Sequence, residues 1–160
     1  MKTTEKTTID RIDRKILRLL QENGRISNAA LSKAVGLSAT PCLERVRKLE
    51  RMGIIEGYTA RINPDKLGSP LLVFVEITLS RTSSDAFAEF SEAARKTDEI
   101  LECHLVSGDF DFLLKARVAD MAAYRKLLGE TLLNMPSVNE SRTYVVMEAV
   151  KQDNKVLIKG

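Results

Sequence analysis

Ser27-Asn-Ala-Ala-Leu-Ser-Lys-Ala-Val-Gly36-Leu37-Ser38-Ala-Thr-Pro41-Cys-Leu-Glu-Arg-Val-Arg-Lys-Leu-Glu-Arg51 is the stretch that decides the first part of the chain. Ser27 can cap a short helix through Val35 by accepting hydrogen bonds from its free N–H groups. Gly36 then stands where a helix must end in a left-handed backbone, which glycine adopts without strain. Leu37 is free to drop into a core, and Ser38 can cap a second helix. Pro41 fits there, because the first turn of a helix has no internal partner for its N–H groups. Two helices joined by so tight a glycine turn make a helix-turn-helix pattern.

The second helix shows which side faces out. Cys42, Val46, Leu49 and Gly53 follow the spacing of a buried stripe. At about 100° per residue, Thr40, Pro41, Glu44, Lys48 and Arg51 point the other way, with Arg45 and Arg47 on the flanks. Together with Ser38 these are the candidate DNA-binding residues, suited to a major groove. The same face also reads as solvated surface carrying i, i+4 pairs such as Glu44–Lys48.

Charge distribution tips that balance. Residues 1–61 hold 13 Lys+Arg against 7 Asp+Glu, a net of +6. The remainder holds 12 against 15, a net of −3, so the total of +3 hides a basic front and an acidic back. A polyanion partner is implied for the front only.

Length and composition narrow the classes. The 160 residues, 44% hydrophobic and 29% charged, suit a soluble globular protein of one or two small domains. The longest apolar run, Leu71 to Val75, is far short of a membrane span. No apolar core follows the N-terminal charges, so a secretory signal is not expected and a cytoplasmic location is. Cys42 and Cys103, with a single histidine, cannot supply four zinc ligands, and read as buried free thiols.

The rest divides in order. Residues 1–8 read as a polar, frayed arm. A helix near Ile9 or Asp10 carries Ile12, Ile16, Leu19 and Leu20 as its stripe and ends at Asn23-Gly24. Ile54–Ala60 reads as a strand, giving a small winged variant. The expected domains are 1–61, a linker at 62–70 with one helical turn at Asn63–Gly68, and 71–160. Beyond the linker the pattern predicts a strand at Leu71–Leu79 and a helix capped at Ser83–Asp85 with stripe Phe87, Phe90 and Ala94. Strands follow near Ile100–Ser107 and Phe112–Val118, then a helix capped by Asp120 with Met121, Tyr124, Leu128 and Leu132 on one side. A strand near Arg142–Val150 and a short tail strand at Val156–Ile158 close the chain. This α+β order, βαββαβ, is the ferredoxin-like arrangement. Right-handed crossovers put both helices on one sheet face. The other face, with Leu72, Phe74 and Val106, then needs a partner, which predicts a homo-oligomer packed sheet to sheet.

Several strings carry a resemblance. Arg25-Ile-Ser-Asn, Gly36-Leu-Ser-Ala-Thr-Pro-Cys-Leu-Glu-Arg-Val-Arg and Gly57-Tyr-Thr-Ala resemble the DNA-binding half of the Lrp/AsnC (feast/famine) transcription regulators. Leu71-Leu-Val-Phe-Val-Glu-Ile-Thr-Leu, Glu102-Cys-His-Leu-Val-Ser-Gly-Asp-Phe-Asp, Tyr124-Arg-Lys-Leu-Leu-Gly-Glu-Thr-Leu-Leu and Arg142-Thr-Tyr-Val-Val-Met-Glu resemble its effector half. The resemblance spans about residues 9–160 and departs mainly in the arm, the linker, Arg81 to Ala88 and the tail. It implies dimers assembled into larger rings, commonly octamers, with double-stranded DNA wrapped outside in the nucleoid. It also implies no cofactor but a small amino acid effector, often leucine, bound where dimers meet. Carried over by motif position, the effector candidates are Leu105, Gly108, Asp109, Asp111, Met121, Tyr144, Val145 and Val146. A glycine-opened turn can offer N–H groups to a carboxylate, and Asp111 can pair with an ammonium.

Three function classes remain in view. A ligand-responsive transcription factor fits both halves. A nucleoid-associated architectural protein, indifferent to ligand, fits the basic front. An enzyme fits least: only His104 is a neutral-pH base, and no nucleophile–base motif, P-loop or dinucleotide fingerprint occurs.

Overall fold

The computed structural model describes residues 9–159, so the arm expected over residues 1–8 lies outside it. Two compact units appear, and each is built around its own core.

The first unit begins with three helices, α1 (Arg11–Glu22), α2 (Asn28–Val35) and α3 (Ala39–Arg51). Asp10 caps α1 in a reciprocal box. Its carboxylate accepts from the Asp13 N–H at 2.8 Å, and the Asp13 carboxylate accepts from the Asp10 N–H at 3.2 Å. Ser27 caps α2 as the sequence predicts, accepting from the Ala30 N–H at 3.2 Å. Gly36 takes φ 76°, and the Leu37 N–H returns to the Ser32 carbonyl at 2.9 Å to close the turn. Ile16, Leu31, Val35, Cys42, Val46 and Leu49 form the buried centre of this unit. The stripe on α1 includes Leu17 and the carboxylate Asp13, while Ile12, Leu19 and Leu20 pack at its margin.

The strand expected over Ile54–Ala60 does not form. The Ile54 and Ile55 N–H groups both bond the Leu49 carbonyl, at 3.0 and 3.2 Å, closing off α3, and their side chains join the core margin. Among the described residues no strand lies beside the segment to complete a ladder. The Tyr58 hydroxyl, 3.1 Å from a Glu50 carboxylate oxygen, fastens its far end to α3.

The tail also differs from expectation. From Gln152 onward it belongs to the first unit rather than to the domain drawn at 71–160, and it forms no strand. It runs along α1, where side chains supply the partners a strand would have offered. The Gln21 amide brackets Val156, donating to its carbonyl at 3.1 Å and accepting from its N–H at 2.7 Å. Arg18 donates to the Ile158 carbonyl at 2.8 Å, Lys155 meets Glu22 at 2.8 Å, and Ile158 packs on the core.

The second unit opens with a 3-10 turn at Asp65–Leu67, held by the Asn63 side chain and stopped by Gly68 at φ 73°. Then come β1 (Leu71–Leu79), α4 (Ser84–Arg95), β2 (Ile100–Leu105), β3 (Phe112–Val118), α5 (Met121–Lys126) and β4 (Val138–Val145). All strand pairs are antiparallel, in the order β2-β3-β1-β4. This is the ferredoxin-like sheet. Val73, Val75, Ile77 and Leu79 of β1 and Phe112, Leu114, Ala116 and Val118 of β3 face both helices and are buried with Phe90, Tyr124 and Leu132.

Two details depart from the sequence reading. The helix from Asp120 does not run evenly to Leu132: a π-helical turn over Leu127–Thr131 inserts extra backbone, and Leu127 rather than Leu128 is buried; Met121, at the start of α5 and ahead of that turn, is exposed. β4 starts at Val138 and ends at Val145, where the sheet runs out of β1, so residues 147–150 continue without a ladder.

Removing residues 152–160 takes Ile158 off the first core and three polar partners off α1. The expected cost is about 1–2 kcal/mol, a fall of about 5–10 °C in melting of that unit by calorimetry. Unchanged melting would mean the tail contacts carry no weight.

Candidate nucleic-acid interface and effector site

α3 is locked by its buried stripe. Cys42 and Leu49 have no exposed surface and Val46 is 9% exposed, so the opposite side of the helix must face solvent. The Asn28 side-chain amide donates to the Ala39 carbonyl at 2.9 Å, tying the start of α2 to the start of α3. Gly36 sets the angle between them.

The outward face matches the sequence reading in outline. Ser38, Thr40, Glu44, Arg47, Lys48 and Arg51 are exposed, and Pro41 and Arg45 are half-buried. Pro41, Glu44, Arg45, Arg47, Lys48 and Arg51 line one open groove, joined at its edge by Asp10. Ser38 occupies the cap position, but its hydroxyl makes no capping bond. Among the described residues, no ion pair links Glu44 to Lys48, and Arg47, Lys48 and Arg51 have no carboxylate partner. The cations therefore do not cancel one another's neighbours as an ordinary solvated face would.

Arg45 is the exception. Its Nη1 lies 2.6 Å from an Asp10 carboxylate oxygen and 2.7 Å from an Asp13 oxygen, and Asp13 is 2% exposed. The Asp13 N–H, followed by the Arg45 guanidinium, holds the Asp10 carboxyl below its usual range. Sequence reasoning placed Arg45 on the DNA-facing flank and overlooked both acids. The Asp-x-x-Asp spacing at 10 and 13 was the available signal for the cap; nothing local signals a partner 32 residues away.

The effector candidates fall into two groups on this chain. Leu105 pairs through Phe112 with Ile77. The Asp111 N–H donates to the Ile77 carbonyl at 2.9 Å, and its carboxylate accepts from the Leu79 N–H at 2.7 Å. With Gly108 and Asp109 these lie where β1 ends. Val145 and Tyr144 pair with Val73 and Phe74, and the Val146 N–H donates to the Leu72 carbonyl at 3.0 Å. Met121 follows Val118, the partner of Leu71, so this second group lies where β1 begins. Three residues of strand (Phe74 to Ile77) to eight (Leu71 to Leu79) separate the groups, about 10–27 Å.

Asp109 also lines a shallow pocket with Glu76, Thr78, Phe110, Glu140 and Arg142 on the sheet face away from the helices. That face is less apolar than Leu72, Phe74 and Val106 alone suggest. Leu72 is buried, and Glu102–Lys115 at 2.7 Å and Glu76–Arg142 at 3.8 Å lie among the apolar groups. Lys115 holds the Glu102 carboxyl below its usual range. Cys42 and Cys103 are free; Cys42 is buried as expected but Cys103 only half-buried, and burial raises both thiols. Among the described residues no cluster could hold a metal, and no helix is long and apolar enough to cross a membrane.

Residues 9–56 match the model for winged helix-turn-helix DNA-binding segments, and residues 72–156 match the Lrp/AsnC ligand binding domain. The chain belongs to the Lrp/AsnC family. It is 68% identical over 151 residues to the leucine-responsive regulatory proteins of Klebsiella pneumoniae and Escherichia coli K12, covering 94% of this chain and 92% of each relative. A crystal structure of a Neisseria meningitidis transcriptional regulator in complex with L-Met is similar throughout. Its TM-score is 0.90 at 36% identity, covering 94% of this chain and 97% of that one. As a Lrp/AsnC protein with both halves present, the chain is an amino-acid-responsive, DNA-binding transcriptional regulator.

Because the folded-state pKa of Asp10 is lowered, its contribution to stability is present above the unfolded value of about 3.9 and is lost as pH falls through the folded one. Asp10→Asn keeps a capping oxygen but drops the charge. In urea unfolding across pH, the stability gap between wild type and Asp10→Asn should shrink steadily below about pH 4. A gap independent of pH would contradict the ion-pair assignment.

Proposed function

We propose that the effector is leucine or another small apolar amino acid, held by residues of two copies of this chain. The observation behind this is the separation of the two candidate groups along β1: one small ligand cannot reach both ends of one sheet. A site shared between copies would bring the Gly108–Asp111 turn of one against the Met121 and Tyr144–Val146 group of another. Leu105, Met121, Tyr144 and Val145 are 57, 54, 47 and 42% exposed on the single chain, large apolar groups that a neighbouring copy would cover. The names of the 68% identical relatives point to leucine.

In this reading dimers assemble into larger rings, DNA is wrapped outside, and the effector favours one assembly over another. A differential of about 1–3 kcal/mol between states is enough for regulation. The DNA contacts are Ser38, Thr40, Pro41, Glu44, Arg47, Lys48 and Arg51, with cations to phosphates and the N-terminal residues of α3 near base edges. In this reading the first unit, residues up to 61 with the tail from Gln152, carries the DNA-binding role, and residues 62–151 carry the effector and assembly role. The protein works by binding rather than by chemistry, in the cytoplasm at the nucleoid.

Asp111→Ala would confuse two roles, because its carboxylate also holds the Leu79 N–H. Asp111→Asn keeps an oxygen for that bond and loses the charge. It should bind duplex DNA within about twofold of wild type yet need at least about tenfold more amino acid for the same shift in oligomer size. Sedimentation and DNA binding with a panel of amino acids read both. An unaltered response would displace Asp111 from the site; an assembly deaf to every amino acid would favour the architectural role.

A further inference from the structure

We propose that Arg45 is a positioning residue for the recognition helix and a screen for two carboxylates, not itself a contact to DNA. The inference rests on the reading of the α3 face as the DNA-binding surface and deepens it.

Three observations carry it. First, one guanidinium nitrogen of Arg45 serves both Asp10 and Asp13, at 2.6 and 2.7 Å, and so joins the middle of α3 to the cap of α1. Second, Asp13 is almost wholly buried, with Arg45 as its cation. Turning Arg45 out to a phosphate would strand a buried carboxylate, and an uncompensated buried charge costs more than one exposed phosphate contact returns. Third, Asp10 is half-exposed and sits at the rim of the groove that Arg47, Lys48 and Arg51 line. With Arg45 gone, the Asp10 charge would stand uncovered beside the surface a phosphate backbone must approach, and Asp13 would be left buried without its cation. Arg45 therefore does two things at once: it sets how α3 is rolled on α1, and it removes local repulsion. Arg47 and Lys48, which have no such partners among the described residues, remain the phosphate-binding cations.

The distinction is measurable, because a phosphate contact and a positioning contact respond differently to salt and to a second substitution. Duplex-oligonucleotide affinity is measured by fluorescence anisotropy over a salt series, well below the melting temperature of every variant. The set is full-length wild type, Arg45→Gln, Asp13→Asn, the double variant and Lys48→Gln. Lys48→Gln should lower the slope of log affinity against log salt by about one. Arg45→Gln should lose at least about tenfold in affinity, because it uncovers Asp13. The double variant removes both charges, leaving no buried carboxylate without a cation. It should recover most of that loss, with the wild-type salt slope. Direct contact between Arg45 and DNA predicts the reverse: no recovery in the double variant, and a slope lowered by about one as for Lys48→Gln. That result overturns the proposal while leaving the DNA-binding face intact. Wild type that binds no duplex even in dilute salt would instead overturn the DNA-binding reading, and this one with it.

Discussion

Everything that α3 does depends on the burial of three side chains, Cys42, Val46 and Leu49, against α1 and α2. Fully burying a side chain such as Leu49 contributes about 1.5–3 kcal/mol, more than any exposed ion pair on the same helix. That stripe leaves the helix one orientation, and in it Arg47, Lys48 and Arg51 have nowhere to go but outward. The turn at Gly36 and the bond from Asn28 to Ala39 then fix where the helix starts. Their joint effect is a cationic ridge held on a small rigid scaffold, in a unit that with its tail carries 15 Lys+Arg against 8 Asp+Glu.

The second unit obeys a different constraint. β1 is central in a four-stranded sheet, so both of its edges are used and its ends are the places where chemistry can gather. At one end the Gly108–Asp111 turn is stitched to β1 by a backbone bond and a carboxylate bond; at the other β4 runs out at Val145. A sheet of this kind separates the two groups by its own length. On the reading proposed above, sensing a small molecule with both groups would be a task for more than one copy. The link from fold to assembly is therefore geometric before it is energetic.

Local signals made most of the fold legible. The caps at Ser27, Ser83 and Asp120, the stop at Gly36 and the alternation in β1 and β3 each act within a few residues, and each reads true. What could not be read depends on partners far apart in the chain. Ile54–Ala60 has strand-like composition but no neighbour. The tail from Gln152 looks like a last strand of the second unit, yet its bonding partners, Gln21 and Arg18, lie over 130 positions upstream. Arg45 looks like its neighbours on the helix and is set apart by Asp10 and Asp13. Even spacing places Tyr124 and Leu132 in the buried stripe, but Met121 is exposed and, at the π-helical turn over Leu127–Thr131, Leu127 takes the place expected for Leu128. For the effector candidates, motif likeness named them; only the sheet register reveals that they sit in two places.

The central claim is a division of labour between a basic unit that grips DNA and an acidic unit that senses an amino acid. Hydrogen–deuterium exchange on the full-length protein, with duplex DNA alone and with leucine alone, tests it most directly. DNA should slow exchange in α3 and the turn before it. Leucine should slow exchange around Gly108–Asp111 and Met121. DNA protection confined to the second unit, or leucine protection confined to α3, would contradict the account.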